Sequence, residues 1–104
     1  MAVIGSEKQE KKIAELSQIA QEHYPGHQVM SFKGAFRMGA QKAVQKSGFN
    51  SWDEVAQQPA TVRRQFFNTL LQESRPHLLK ITGEGNVDQL LQKLKQENEK
   101  YLQQ

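Results

Sequence analysis

Proline and glycine divide this chain into segments, and the longer segments between the breaks carry their apolar residues at helical spacing. The breaks fall at Tyr24-Pro25-Gly26, Gly48, Pro59, Pro76 and Gly83-Glu84-Gly85. Proline removes an amide donor and clashes with the preceding turn, and glycine admits backbone angles that end a helix. Between the breaks, apolar side chains recur three and four residues apart and nowhere alternate as a half-buried strand requires. A chain punctuated in this way is restricted to an all-α fold.

The first helix is expected from near Ser6, where Ser6 and Gln9 have capping-box spacing, to about His23. Ile13, Leu16, Ile19 and Ala20 make its buried face, while Lys8, Lys12, Glu15 and Glu22 face water. A second helix runs from Ser31 to Ser47 with Phe32, Phe36, Ala40, Ala43 and Val44 inward. Gly34 and Gly39 interrupt it. A helix-interior glycine costs about 1 kcal/mol relative to alanine, so each marks either close packing or a local break. Ser51 and Glu54 cap a short helix over Trp52 to Gln58, ended by Pro59. Thr61 is placed to cap the next helix, which buries Val62, Phe66, Phe67, Leu70 and Leu71 and is expected to end near Ser74 because Pro76 follows. Residues 77–81 are too few to show a period. Asn86 and Gln89 open a last helix to about Leu102. The expected architecture is a compact irregular bundle of four main helices plus one short helix, forming a single domain over residues 1–104 with frayed termini.

Composition narrows the function. The absence of cysteine excludes disulfides, a thiol nucleophile and thiolate metal sites. The start of the chain lacks the basic and apolar stretches of a signal peptide, and no apolar run has membrane-spanning length, which predicts a cytoplasmic protein without a membrane partner. The net charge of +3 is unevenly spread: residues 1–30 and 81–104 each sum to −1, whereas residues 31–80 carry +5. That centre holds Lys33, Arg37, Lys42, Lys46, Arg63, Arg64, Arg75 and Lys80. Such a distribution is either an ordinary solvated helix surface or an electrostatic footprint for DNA or RNA.

No catalytic constellation stands out. His23 and His27 flank Tyr24-Pro25-Gly26 and lack further ligands, Ser6, Ser31 and Ser51 sit at helix starts, and no Gly-x-Ser-x-Gly elbow exists. Lys80-Ile81-Thr82-Gly83-Glu84-Gly85 lacks the ordered glycine, lysine and hydroxyl of a phosphate loop. The expectation is a non-enzymatic binding or regulatory module without metal or cofactor, ahead of the alternative of a small enzyme or cofactor-dependent helical domain. Its first candidate surface is Lys33, Arg37, Lys42, Lys46, Arg63, Arg64, Gln65 and Asn68, for nucleic acid. The segment from Ser51 to Glu73 loosely resembles a helix-turn-helix, with Arg63, Arg64, Gln65 and Asn68 on the second helix. The alternative is a protein-interaction adaptor or self-association through the last helix, where Val87, Leu90, Leu94 and Tyr101 follow heptad spacing and Glu97 interrupts the seam.

Overall fold

The computed structural model describes residues 7–102, with side chains over residues 7–100. The expected Ser6 cap and terminal fraying therefore lie outside the described residues. Five helices follow in order: α1 (Glu7–His23), α2 (Val29–Ser47), α3 (Trp52–Ala56), α4 (Ala60–Thr82) and α5 (Glu84–Leu102). The described residues contain no strand, and the architecture is the all-α bundle of four main helices and one short helix.

The anticipated helical stripes converge on one apolar cluster. Ile13, Phe32, Phe36, Ala40, Leu70, Leu78, Val87 and Leu94 are all fully buried within it. The most extensive interface joins α2 to α4, and Gly39 explains how they approach. An added Cβ at Gly39 would stand 1.8 Å from Ser74 Oγ and 2.8 Å from the Leu70 carbonyl oxygen. Close packing, not a break, is the reason for this glycine. Gly34 is different, since nothing lies within 4 Å of a Cβ built there.

The helix boundaries need several corrections. Helix α2 starts at Val29, two residues before the expected Ser31, with Gln28 as a cap that makes no side-chain hydrogen bond. Ser51 does cap α3, its hydroxyl accepting from the Glu54 amide at 3.3 Å, but α3 stops at Ala56. Helix α4 begins at Ala60 after Pro59, so Thr61 lies inside its first turn. The largest correction is that α4 passes through Pro76 to Thr82 instead of ending at Ser74. Pro76 is exposed, and so is Gln72, whose carbonyl loses its helical donor and can turn to water. On the opposite face Leu70, Leu71, Ser74, Leu78 and Thr82 are buried in an unbroken stripe. Burying a leucine is worth roughly 1.5–3 kcal/mol, so continuing that stripe offsets a proline cost of about 3 kcal/mol. Helix α5 starts at Glu84, and Asn86 donates back to the Thr82 carbonyl at 2.9 Å instead of capping α5.

The inward stripes also carry three buried hydroxyls, and these are satisfied locally. Ser17, Ser74 and Thr82 each donate to the carbonyl four residues earlier, at 2.7, 2.7 and 3.2 Å. No helix among the described residues is long and apolar enough to cross a membrane.

Candidate functional site: a cationic groove over an apolar floor

Several side chains of the basic centre reach toward acids on neighbouring helices. Arg37 Nη2 lies 2.8 Å from Glu10 Oε1 on α1, and Lys46 Nζ lies 2.5 Å from Glu73 Oε2 on α4. Arg64 Nε meets Glu99 Oε2 at 2.6 Å, and Arg75 forks onto both oxygens of Asp88 at 3.0 and 3.3 Å, both acids belonging to α5. Four of the eight central cations thus tie adjacent helices together, three of them using acids from outside residues 31–80. The Arg37 hydrogen bond holds the Glu10 carboxyl below its usual range, and the Arg75 hydrogen bond does the same for Asp88. Lys42, Gln65 and Asn68 are exposed, and Lys33 is half-buried near Glu10. Leu90 and Leu94 are buried in the chain's own core, so they are not part of an outer apolar face. The Tyr101 side chain lies outside the described residues.

Arg63 takes a separate course. Its Nε donates to the Gln58 carbonyl at 2.9 Å, across the turn from α3 to α4, and Gln58 in turn donates to the Glu54 carbonyl at 3.2 Å. These bonds brace the turn and hold the guanidinium at the edge of a groove of about 350 Å³. The groove is lined from α1 by Lys8, Lys11, Lys12 and Glu15, from α3 by Trp52, Val55 and Ala56, and from α4 by Arg63, Phe66 and Phe67, with Asn98 of α5 completing it. Four cations face one carboxylate there.

The floor is fixed by aromatic packing. Trp52 meets Phe66 edge to face, with ring centroids 5.3 Å apart and planes at 84°. Phe66 and Phe67 are both 4% exposed, whereas Trp52 is half-buried and presents the accessible aromatic surface. Lys12 was expected to face water, but its ammonium stands 5.3 Å from the centre of the Phe67 ring. Burial lowers the Lys12 pKa, and the nearby Glu15 charge opposes that shift. Lys8 and Lys11 remain exposed on the outer turn of the same helix.

This constellation was missed by sequence reasoning, which placed Lys8 and Lys12 toward water and read Trp52 as the start of a short helix. A signal was present: Lys8, Lys11 and Lys12 lie within about one helical turn, at the three- and four-residue spacing that shares a face. What the sequence withheld was that α3 and α4 lay an apolar floor beside that face. Among the described residues, no group of three or more histidine, aspartate or glutamate side chains gathers as a metal site. No family model, curated protein or solved structure matches the chain. The groove must therefore be interpreted from its own chemistry, which is suited to holding an anionic ligand that also carries apolar groups.

Proposed function

We propose that this chain is a non-enzymatic binding module whose partner is a protein segment combining aspartate or glutamate with apolar side chains. The observation that carries the reading is the gathering of Lys8, Lys11, Lys12 and Arg63 with Trp52, Val55 and Phe66 in one groove lining, where Glu15 is the only opposing charge among the described residues. An acidic, apolar segment can bury its hydrophobic groups on that floor while its carboxylates meet the cationic rim. Interface cores of this kind favour exposed aromatics and arginine, and a charged rim steers association.

The geometry favours this partner over nucleic acid for two reasons. Phosphate binding draws on cations that can exchange counterions for phosphates, and Arg37, Lys46, Arg64 and Arg75 are already engaged by carboxylates of neighbouring helices. Stacking of successive bases needs several open aromatic faces, and of the three aromatic side chains in the groove lining Phe66 and Phe67 are buried, which leaves Trp52 alone. The groove volume of about 350 Å³ suits a few anchoring side chains.

Trp52 is the only tryptophan in the chain, so its emission reports on the groove. Titration with blocked octapeptides rich in Asp, Glu, Leu and Phe should give a saturable change that weakens with added salt. Reversing two rim charges, Lys8→Glu with Lys11→Glu, should weaken binding by about tenfold, equivalent to roughly 1.4 kcal/mol. Equal binding by that variant would overturn the reading. Binding of a DNA duplex, a DNA single strand or an RNA that depends on Lys42, Gln65 and Asn68, with no response to the peptides, would assign the function to nucleic acid instead.

A further inference from the structure

Helix α5 turns a regular inward stripe toward the bundle, and the last described position of that stripe is a residue that does not belong in a core. Val87, Leu90, Leu91 and Leu94 are 0, 1, 8 and 0% exposed, and the next position on that face is Asn98 at 7%. The spacing continues by four residues, but the chemistry changes from hydrocarbon to carboxamide. Asn98 makes no side-chain hydrogen bond among the described residues, although every fully buried polar side-chain atom there has a partner. Its amide therefore retains contact with solvent, and the opening it lines is the cationic groove. A polar residue on an apolar face, with no internal partner to explain it, is the local inconsistency expected at a binding site.

We propose that the groove binds its acidic segment in extended form, with the Asn98 carboxamide hydrogen-bonded to the main-chain N–H and carbonyl of one residue of that segment. The inference rests on the peptide-binding reading above and specifies how the ligand is recognised. A carboxamide offers an acceptor oxygen and two N–H donors. In an extended chain the N–H and carbonyl of one residue point to the same side and offer the complementary pair, whereas the two polar groups of a single trans peptide point in opposite directions. The ligand's carboxylates can satisfy only the Asn98 donors, and the lysines and Arg63 compete for them. The interior of a helical ligand presents neither group, because its N–H and carbonyl groups are bonded to each other along the helix. An extended segment leaves them open, and this is how Asn98 selects it. The charged rim then governs affinity for acidic composition, while Asn98 reads the backbone.

The test uses the full chain, Trp52 emission and three probes: acidic octapeptides with a central proline, their isomers locked as helices by lactam bridges, and the proline peptides N-methylated at one amide at a time. The expected results are tighter binding of the extended peptides than of the helical isomers and a loss of about tenfold on N-methylation at one position, the scale of a single well-placed hydrogen bond. Asn98→Leu should retain or raise the thermal midpoint, because it completes the apolar stripe, yet bind the extended peptide about tenfold more weakly. N-methylation at the sensitive position should then have no further effect on the Asn98→Leu protein. Salt-sensitive peptide binding that Asn98→Leu leaves unchanged, or tighter binding of the helical isomers, would overturn the inference while leaving the peptide-binding reading intact. Absence of any Trp52 response to all three probes would overturn both.

Discussion

Alanine substitution at Gly34 and Gly39, one at a time, should move stability in opposite directions although both glycines sit in the interior of α2. The intrinsic term is shared: alanine is favoured over glycine in a helix by about 1 kcal/mol. At Gly34 that term stands alone, because no atom lies within 4 Å of the new Cβ. Gly34→Ala is therefore expected to gain about 1 kcal/mol and to raise the thermal midpoint by roughly 4–8 °C, the scale for a domain of about this size. At Gly39 the new methyl would meet Ser74 Oγ at 1.8 Å, Leu70 O at 2.8 Å and Ser74 Cβ at 3.0 Å. One of these atoms is backbone, and Ser74 Oγ is anchored by its 2.7 Å bond to the Leu70 carbonyl, so the helices themselves must separate. Overpacking costs typically about 1–3 kcal/mol, and this site belongs near the upper end. The net expectation is a loss of about 2 kcal/mol and a midpoint lower by roughly 10 °C. Adding Ser74→Ala to Gly39→Ala should recover only part of the loss, since Leu70 O still opposes the methyl. Thermal unfolding followed by circular dichroism, together with urea midpoints, measures all four proteins. A Gly39→Ala protein as stable as the parent would refute the close α2–α4 contact, and a destabilised Gly34→Ala would show that α2 packs differently at that turn.

Three further outcomes follow from the burial and charge of named residues. Leu94→Ala should cost about 2–5 kcal/mol in chemical denaturation without altering the solution mass seen by light scattering, because Leu94 is buried within its own chain. The Glu10 and Asp88 carboxyls are held low by hydrogen bonds from Arg37 and Arg75, so their contribution to stability is present above the ordinary carboxylate range and is lost as pH falls through their lowered folded values. Urea midpoints between neutral pH and about pH 3 should therefore decline less steeply in the Arg37→Gln, Arg75→Gln variant. Burial depresses the Lys12 pKa, whereas a bound carboxylate favours its charged form; peptide affinity should consequently fall as alkaline pH passes through the lowered Lys12 value, and Lys12→Gln should remove that component from a Trp52 titration series.

The stripes of apolar residues gave away the architecture because helical period is a local property, and Ile13, Phe36, Leu70 and Leu94 bury as that period implies. Pro76 misled for an equally local reason. Its backbone penalty is visible in sequence, whereas the burial of Leu78 and Thr82 that outweighs it depends on packing against other helices. The excess positive charge in the middle of the chain was also visible, but its meaning lay in pairings such as Arg64 with Glu99, thirty-five residues apart. Charge balance by segment cannot show that acids of α1 and α5 return to occupy cations of α2 and α4. The groove needed four helices to be placed before Lys8, Trp52, Arg63 and Asn98 came together. Asn98 is the subtlest case, because Glu97 interrupts the heptad seam in sequence while the structure carries the inward stripe through its neighbour.

The most direct test of the groove as the working surface is amide and indole chemical-shift mapping of the isotope-labelled chain during titration with an acidic, apolar octapeptide. The account predicts that perturbations concentrate on Lys8, Lys11, Lys12, the Trp52 indole, Arg63 and the Asn98 side-chain amide, with Met30, Met38, Lys42 and Asn68 unchanged. Perturbations centred on Lys42, Gln65 and Asn68, or on Met30 and Met38 of α2, which are 66 and 43% exposed, would contradict it.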